Sequence, residues 1–409
     1  MIPLLSLKQF LRDMRNQKLR TLMTMFGILW GTVAILILMG FGTGLQQSQI
    51  KRFKGLGDNI SMIWPGMTSK PWKGLPRGRR IHFTEEDVAH IKSSNPNINI
   101  SPEYRRWSVS LKSGKTNKLA YVAGVWPEFG DMRNVIPQAG GRFIDALDML
   151  ERKRVIFLGD ELAQNLFGTE DIIGRSLLVN GAPFTVIGVM KEKDQNSSYS
   201  GRDNNQSWIP STTFRTMWTR RYPDIMIVQP PEMKNMASVK KSIYAFLSAK
   251  YTFDPDDKES LQIWDTTESF KVFYDFFAAF KVFLIGIGLM TLIAGGIGVT
   301  NIMNVVLEER TKEIGIKMAV GAKKSNIMAQ FLFETIILTA IGGALGFLIA
   351  HLTVWAFPAR YTEYVGVPTI NTSGAFLAIA ALGLVALASG YFPARRAATL
   401  EPVKALKLF

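Results

Sequence analysis

The 409-residue chain contains no cysteine, which excludes disulfides, thiolate metal ligands and cysteine nucleophiles together. Histidine is nearly as scarce. His82, His90 and His351 are scattered through the sequence without the spacing of an HExxH helix, so packed or solvated rings are expected rather than a metal or histidine centre. A P-loop is missing as well. The nearest string, "GTEDIIGRS" from Gly168 to Ser176, has one residue too many, Arg175 in place of lysine, and a strand-like run behind it. No catalytic, cofactor-binding or metal-binding residue is therefore assigned, and residues 58–265 offer no catalytic constellation for an ectoenzyme. Ionisable groups are also rare inside the apolar runs. Only Lys281, Glu334 and His351 occur there, all toward the ends, so the members of a proton or sodium relay are lacking. Glu334 is expected to pair with a basic cytoplasmic residue.

Apolar sequence, by contrast, is abundant: 47% of residues are hydrophobic against 20% charged. The apolar residues concentrate at 20–41, 276–306, 328–357 and 374–392, each long enough to cross a hydrocarbon core that takes roughly 20 helical residues. Four spans follow, with a large domain between the first and second. The formal charge of +15 is placed to orient them. Lys8, Arg12, Arg15, Lys18 and Arg20 precede the first run, Arg310, Lys312, Lys317, Lys323 and Lys324 separate the second from the third, and Arg395, Arg396, Lys404 and Lys407 follow the fourth. In a four-span chain these flanks share one side, which the positive-inside rule assigns to the cytoplasm. The basic balance is thus a topology signal and not a nucleic-acid footprint, and the large domain faces outward. The first run exceeds the 7–15 residues of a signal-peptide core and lacks an A-x-A site, so it is expected to remain as an anchor.

Local patterns subdivide the chain. Leu4, Leu7, Leu11 and Met14 recur at helical spacing opposite Lys8, Arg12 and Arg15, giving a cytoplasmic amphipathic helix over 1–19. Helix-compatible sequence continues past the first span to about Phe53 and precedes the second from Thr266, so a helical stalk (42–57 and the start of 266–306) is expected under an outer domain at 58–265. Within that domain Thr84 and Asp87 form a capping box, Asn180-Gly181 signals a type I′ hairpin, and 118–126, 154–159, 176–190 and 225–229 are strand-like. Val239, Ile243, Phe246 and Leu247 mark one face of a helix. An inserted subdomain at about 130–215 is expected. The fold class is an α-helical membrane protein with four transmembrane helices and a large α+β outer domain of two subdomains on the stalk, closed by a coupling segment at 307–327, a short outer loop at 358–373 and a tail at 393–409. GxxxG spacings at Gly27/Gly31 and Gly342/Gly346, with Gly286, Gly288, Gly295, Gly296 and Gly298, point to close helix packing and only weakly to a dimer.

The most informative string is "LEERTKEIGIKMAVGAKKSNIMAQFLFE", which begins at Leu307. Glu308 with Lys312, and Glu313 with Lys317, are i,i+4 pairs in the favoured orientation, and Gly321 is placed to end the helix they stabilise. This string resembles the cytoplasmic coupling segment of MacB-like, FtsX-type ABC permeases. The tail "GYFPARRAATLEPVKAL", the outer "RVIFLGDELAQNLFGTEDIIGRSLLVNGAPFTVIGV" and the first span "NQKLRTLMTMFGILWGTVAIL" resemble other parts of the same family. The resemblance implies a permease in the cell inner membrane with a periplasmic domain. It implies a dimer with a second copy or a paralogue, and docking to ATP-binding subunits through the N-terminal helix and the coupling segment. ATP and magnesium would be bound by that partner, and ATP-driven motion would be transmitted to the periplasmic side. MacB itself carries its ATPase at the N-terminus whereas this sequence starts with the permease, so a separate ATPase subunit is expected. Carried over residue by residue, coupling falls on Glu309, Arg310, Thr311, Glu313, Gly315, Lys317 and Gly321, while Pro393, Arg395 and Arg396 fix the end of the fourth span. Three roles are compatible with this reading: efflux or export with a periplasmic adaptor and outer-membrane channel, lipoprotein release, and activation of a cell-wall enzyme without transport.

Overall fold

The computed structural model describes residues 18–168 and 171–401. The predicted amphipathic helix falls on residues 1–17, outside that range, apart from its last positions, which belong to the first long helix. The elements run α1 (Lys18–Lys54), β1 (Ser61–Pro65), α2 (Glu85–Ser94), β2 (Asn99–Ser113), β3 (Thr116–Val125), α3 (Phe129–Met132), α4 (Ala146–Leu150), β4 (Val155–Leu158), α5 (Asp160–Phe167), β5 (Ser176–Val179), β6 (Ala182–Val189), β7 (Gln206–Pro210), α6 (Ser211–Trp218), β8 (Ile225–Gln229), α7 (Met236–Tyr251), β9 (Leu261–Asp265), α8 (Thr266–Glu309), α9 (Thr311–Ala319), α10 (Lys324–Trp355), α11 (Ala359–Val365) and α12 (Thr372–Ala398). They form two compact units, Met1–Gln49 with Tyr274–Phe409, and Ile50–Phe273.

The helical unit is built on α1, α8, α10 and α12, four helices long and apolar enough to cross a membrane. The 44 residues of α8 make it about 66 Å long at about 1.5 Å per residue, roughly twice the hydrocarbon thickness. Lipid supplies no hydrophobic drive between helices, so close backbone approach has to provide the attraction. A Cβ added at Gly27 would lie 3.1 Å from the Gly295 Cα, and one at Gly295 would lie 2.5 Å from the Gly27 carbonyl oxygen, so α1 and α8 meet backbone to backbone. Gly342 and Gly346 of α10 face Ile28 and Thr32 of α1 in the same manner. Both GxxxG stripes are therefore used within one chain.

Two boundaries differ from expectation. The fourth helix does not stop at residue 392 but continues through Pro393 to Ala398. A proline inside a helix leaves the carbonyl four residues earlier without its N–H partner. Here that carbonyl belongs to Ser389, and it accepts a hydrogen bond from the Thr300 hydroxyl of α8 at 3.1 Å. The supposed outer loop at 358–373 also contains α11.

In the second unit, the nine strands among the described residues join one sheet, in the order β3-β7-β4-β6-β5-β2-β8-β1-β9, with β2 and β3 also paired. That extra pairing closes six strands, β3-β7-β4-β6-β5-β2, into a ring. The first residues of β2, Asn99 to Glu103, pair with β8, Glu103 pairing with β3 as well, so one long strand serves both the ring and the outer row. A bulge between Arg106 and Val109, with Ser108 at φ 55°, lets it bend between the two. The hairpin at Asn180 and Gly181 has φ of 47° and 86°, as a type I′ turn requires. Thr84 and Asp87 make the reciprocal capping box, and Asp87 further accepts from Tyr251 Oη at 2.6 Å and from Lys250. Burial raises the Asp87 carboxyl, but the bonds from Lys250, Tyr251 and Thr84 outweigh it and hold the group below the usual carboxylate range.

The second unit also holds a buried polar network. Arg133, 1% exposed, is 2.9 Å from Asp203, which Lys193 also approaches at 2.7 Å. Its Nη1 donates to the Leu56 carbonyl and its Nε to Tyr199 Oη, and its guanidinium lies 4.8 Å from the Tyr199 ring centroid. The Tyr199 and Tyr121 hydroxyls both donate to Glu103. Burial pushes Glu103 above the ordinary carboxylate range in spite of those donors, and it pulls Lys193 below the ordinary lysine range against the attraction of Asp203.

Candidate coupling site

The string that begins at Leu307 runs through three helices: the end of α8, all of α9 and the start of α10. Helix α8 ends at Glu309, Arg310 takes φ −94° and ψ 5°, and α9 starts at Thr311. The Glu308–Lys312 spacing crosses this break and is no longer an i,i+4 pair on a continuous helix. The second pair lies within α9, where Lys317 Nζ is 2.7 Å from Glu313 Oε1. Thr311 donates from its hydroxyl to the Leu307 carbonyl at 2.9 Å, tying the start of α9 to the end of α8. Gly321, at φ 100°, lies just past the helix, as expected of a glycine that allows the chain to reverse.

The predicted partner of Glu334 is Arg310. Its Nη1 is 3.2 and 3.1 Å from the two carboxylate oxygens, and Gln330 Nε2 donates to Oε1 at 3.1 Å. Glu334, on α10, is only 3% exposed. A carboxylate so deeply placed is tolerable because a cation and a neutral donor satisfy it together. The break after α8 and the body of α10 are thereby clamped by charge. Packing does the same: Ile314 and Gly315 are buried, and Ile314 joins a core with Leu307, Ile327, Phe331, Ala394 and Ala397. The segment is thus seated on the spans, not a fully solvated helix.

The structure brings the two predicted residue sets to one end of the helical unit. Pro393 is buried beside Ala394, while Arg395 and Arg396 are exposed in the last turn of α12. Reading charge and glycine alone missed Ile316 of α9, 49% exposed, and Val320 just past its end, 85% exposed, four residues apart. The available signal was an i,i+4 apolar pair that the buried stripe of Ile314 and Gly315 does not use. Among the described residues no group of histidine, aspartate and glutamate side chains could hold a metal ion. The three histidines instead stack on Tyr222, Phe246 and Phe347.

Four apolar helices joined to an α+β unit, with a charged short helix clamped between two spans, define a membrane protein of the permease class. The MacB-like periplasmic core domain family matches residues 21–245, and the FtsX-like permease C-terminal family matches residues 284–402. The chain belongs to the MacB-like, FtsX-type family of ABC transporter permeases and carries that family's periplasmic domain. Its similar proteins include the macrolide export ATP-binding/permease protein MacB of Rhodospirillum rubrum, 31% identical over 98% of this chain and 60% of the relative. The MacB protein of Neisseria meningitidis serogroup A is 30% identical over 95% of this chain and 58% of the relative. The chain thus spans about three fifths of the length of these curated relatives. Among solved structures, the periplasmic region of MacB from Actinobacillus actinomycetemcomitans is 17% identical with a TM-score of 0.43, covering 54% of this chain and 95% of that one. The extracellular domain of the ABC-type transporter YknZ from Gram-positive bacteria is 19% identical with a TM-score of 0.42, covering 50% and 100%.

Proposed function

We propose that this chain is the permease of an ABC exporter, coupling ATP hydrolysis to movement of its periplasmic domain and so driving export by transmitted mechanical work. No P-loop lies within these residues, so ATP and magnesium would be bound by an ATPase outside them. The observation that carries the reading is α9: a charged helix with an exposed Ile316–Val320 pair, clamped to α10 by Arg310 and Glu334. A docking helix must be tied firmly to the spans if a push on it is to move them. The excess length of α1 and α8 supports a helical stalk that carries the motion outward. A second permease copy or a paralogue, and on the periplasmic side an adaptor and an outer-membrane channel, complete the assembly proposed.

Docking is tested with Glu313→Lys. The Glu313–Lys317 pair contributes only about 0.2–0.5 kcal/mol to the helix, so the fold should survive the substitution. Reversing a charge at the contact should weaken the co-purifying ATPase by about tenfold at low salt, or about 1.4 kcal/mol. Wild-type affinity would remove α9 from the docking surface.

Orientation is tested separately, using the absence of native cysteine. Lys115 and Lys323 are both exposed. In intact cells Lys115→Cys should react with an impermeant maleimide and Lys323→Cys should stay unlabelled until the membrane is broken; the reverse pattern would invert the proposed topology.

A further inference from the structure

On the second unit, four arginines line one groove. The groove, of about 360 Å³, is lined by Arg152, Thr212, Arg215, Thr216, Thr219, Arg220 and Arg221. No carboxylate lines it. Arg215 is held by Glu85 at 2.8 Å and Arg220 by Asp224 at 2.8 Å, which orders two guanidinium groups and leaves most of their N–H donors free. Arg152 and Arg221 have no ion-pair partner among the described residues, and Arg221 lies 5.4 Å from the centroid of the Tyr222 ring. Thr212 and Thr216 spend their hydroxyl protons on the Met149 and Thr212 carbonyls, so recognition falls on the guanidiniums.

A simpler account is that arginines gather at the C-terminus of α6 to answer its dipole. That interaction is worth about 0.3–1 kcal/mol per cation and acts within the last turn. It accounts for Arg215, in the last turn of α6, but not for Arg152, which follows α4 and holds a left-handed φ of 52° beside the same groove. Thr212 reaching the Met149 carbonyl is what brings α4 and α6 together there. Guanidinium forks match the paired oxygens of phosphate and carboxylate, and four of them against two carboxylates, neither of which lines the groove, disfavour a cation or a neutral sugar. Next to Arg152, α4 exposes Leu147 and Leu150, the latter by 80%.

We infer that this groove is an oxyanion-binding site of the periplasmic domain, taking a phosphate-type group either free or as the headgroup of an amphiphile whose apolar part lies along Leu147 and Leu150. The site is independent of the coupling function proposed above, since it involves none of the same residues.

The test uses the full chain in phosphatidylcholine nanodiscs and equilibrium dialysis of labelled inorganic pyrophosphate at low ionic strength, where exposed charges are least screened. Wild type should bind saturably at one site per chain. Arg152→Gln with Arg221→Gln should weaken binding at least tenfold with little change in the melting temperature, since among the described residues neither side chain is in an ion pair and only Arg221 has a ring contact, with Tyr222. Lys115→Gln with Lys118→Gln, elsewhere on the same unit, should leave binding intact. Competition then separates the sources: hexyl phosphate displacing the probe at much lower concentration than methyl phosphate identifies an amphiphile headgroup, and equal potency identifies a free anion. Absent saturation in wild type, or equal binding by the double-arginine variant, would overturn the site.

Discussion

Arg133→Met should cost the outer unit about 3–5 kcal/mol, the usual penalty for removing one partner of a buried ion pair. Asp203 is completely buried and would keep only Lys193, whose own charge is already disfavoured by burial. Two further contacts go with the guanidinium: the bond to the Leu56 carbonyl just past α1, and the face of Tyr199. For a unit of this size, 1 kcal/mol corresponds to about 2–4 °C, so its melting transition should fall by roughly 6–20 °C. Tryptophan fluorescence of the detergent-solubilised chain would follow it, because Trp208 is buried in the core against Phe129 and Phe157. Arg133→Lys, which keeps a charge but loses the fork, should fall between the two. A loss below about 1 kcal/mol for Arg133→Met would mean that the network is incidental to the fold.

The Arg310–Glu334 clamp should give the largest effect in the helical unit. Arg310→Met takes the cation away from the buried Glu334 carboxylate, and should destabilise by about 3–5 kcal/mol. Replacing both residues by methionine removes the stranded charge, and such apolar replacements of buried pairs are often neutral, so most of the stability should return. The double variant separates structure from transmission. If the clamp carries force from α9 to α10, the restored fold should still bind the ATPase yet lose the permease's influence on ATP hydrolysis. Wild-type coupling in the stable double variant would show that the pair only holds the helices together. Equal stability of the single and double variants would contradict the clamp itself.

How far the sequence was legible depended on the range of the interactions involved. The Thr84 box, the Asn180-Gly181 turn and the Gly321 stop each depend on neighbours a few residues away, and the structure has all three. Strands β1, β2, β7 and β9 gave no comparable signal. In β2, Pro102, Arg105 and Arg106 interrupt the expected alternation, and the strand is held by partners as distant as Gln229. Its bulge at Ser108 is needed only because two sheet segments must share it, a demand invisible within β2. The coupling segment shows the same division. Glu313 and Lys317 are a local pair and could be read directly, whereas the break at Arg310 is understandable only once Glu334 lies beside it. Ile316 and Val320 became conspicuous only when Ile314 and Gly315 were seen to take up the buried side.

Sequence alone determined the number of apolar helices, the charge asymmetry of their flanks and the lack of any P-loop within these residues, because hydrocarbon thickness and local composition govern those properties without reference to a partner. The tertiary structure decided which carboxylate answers Arg310, which hydroxyl satisfies the Ser389 carbonyl left open by Pro393, and that Arg152, just past α4, shares one groove with the arginines in and after α6. Each depends on side chains brought together from distant parts of the chain, and in a low-dielectric interior an unsatisfied polar group costs enough for the position of its partner to be set by the fold as a whole.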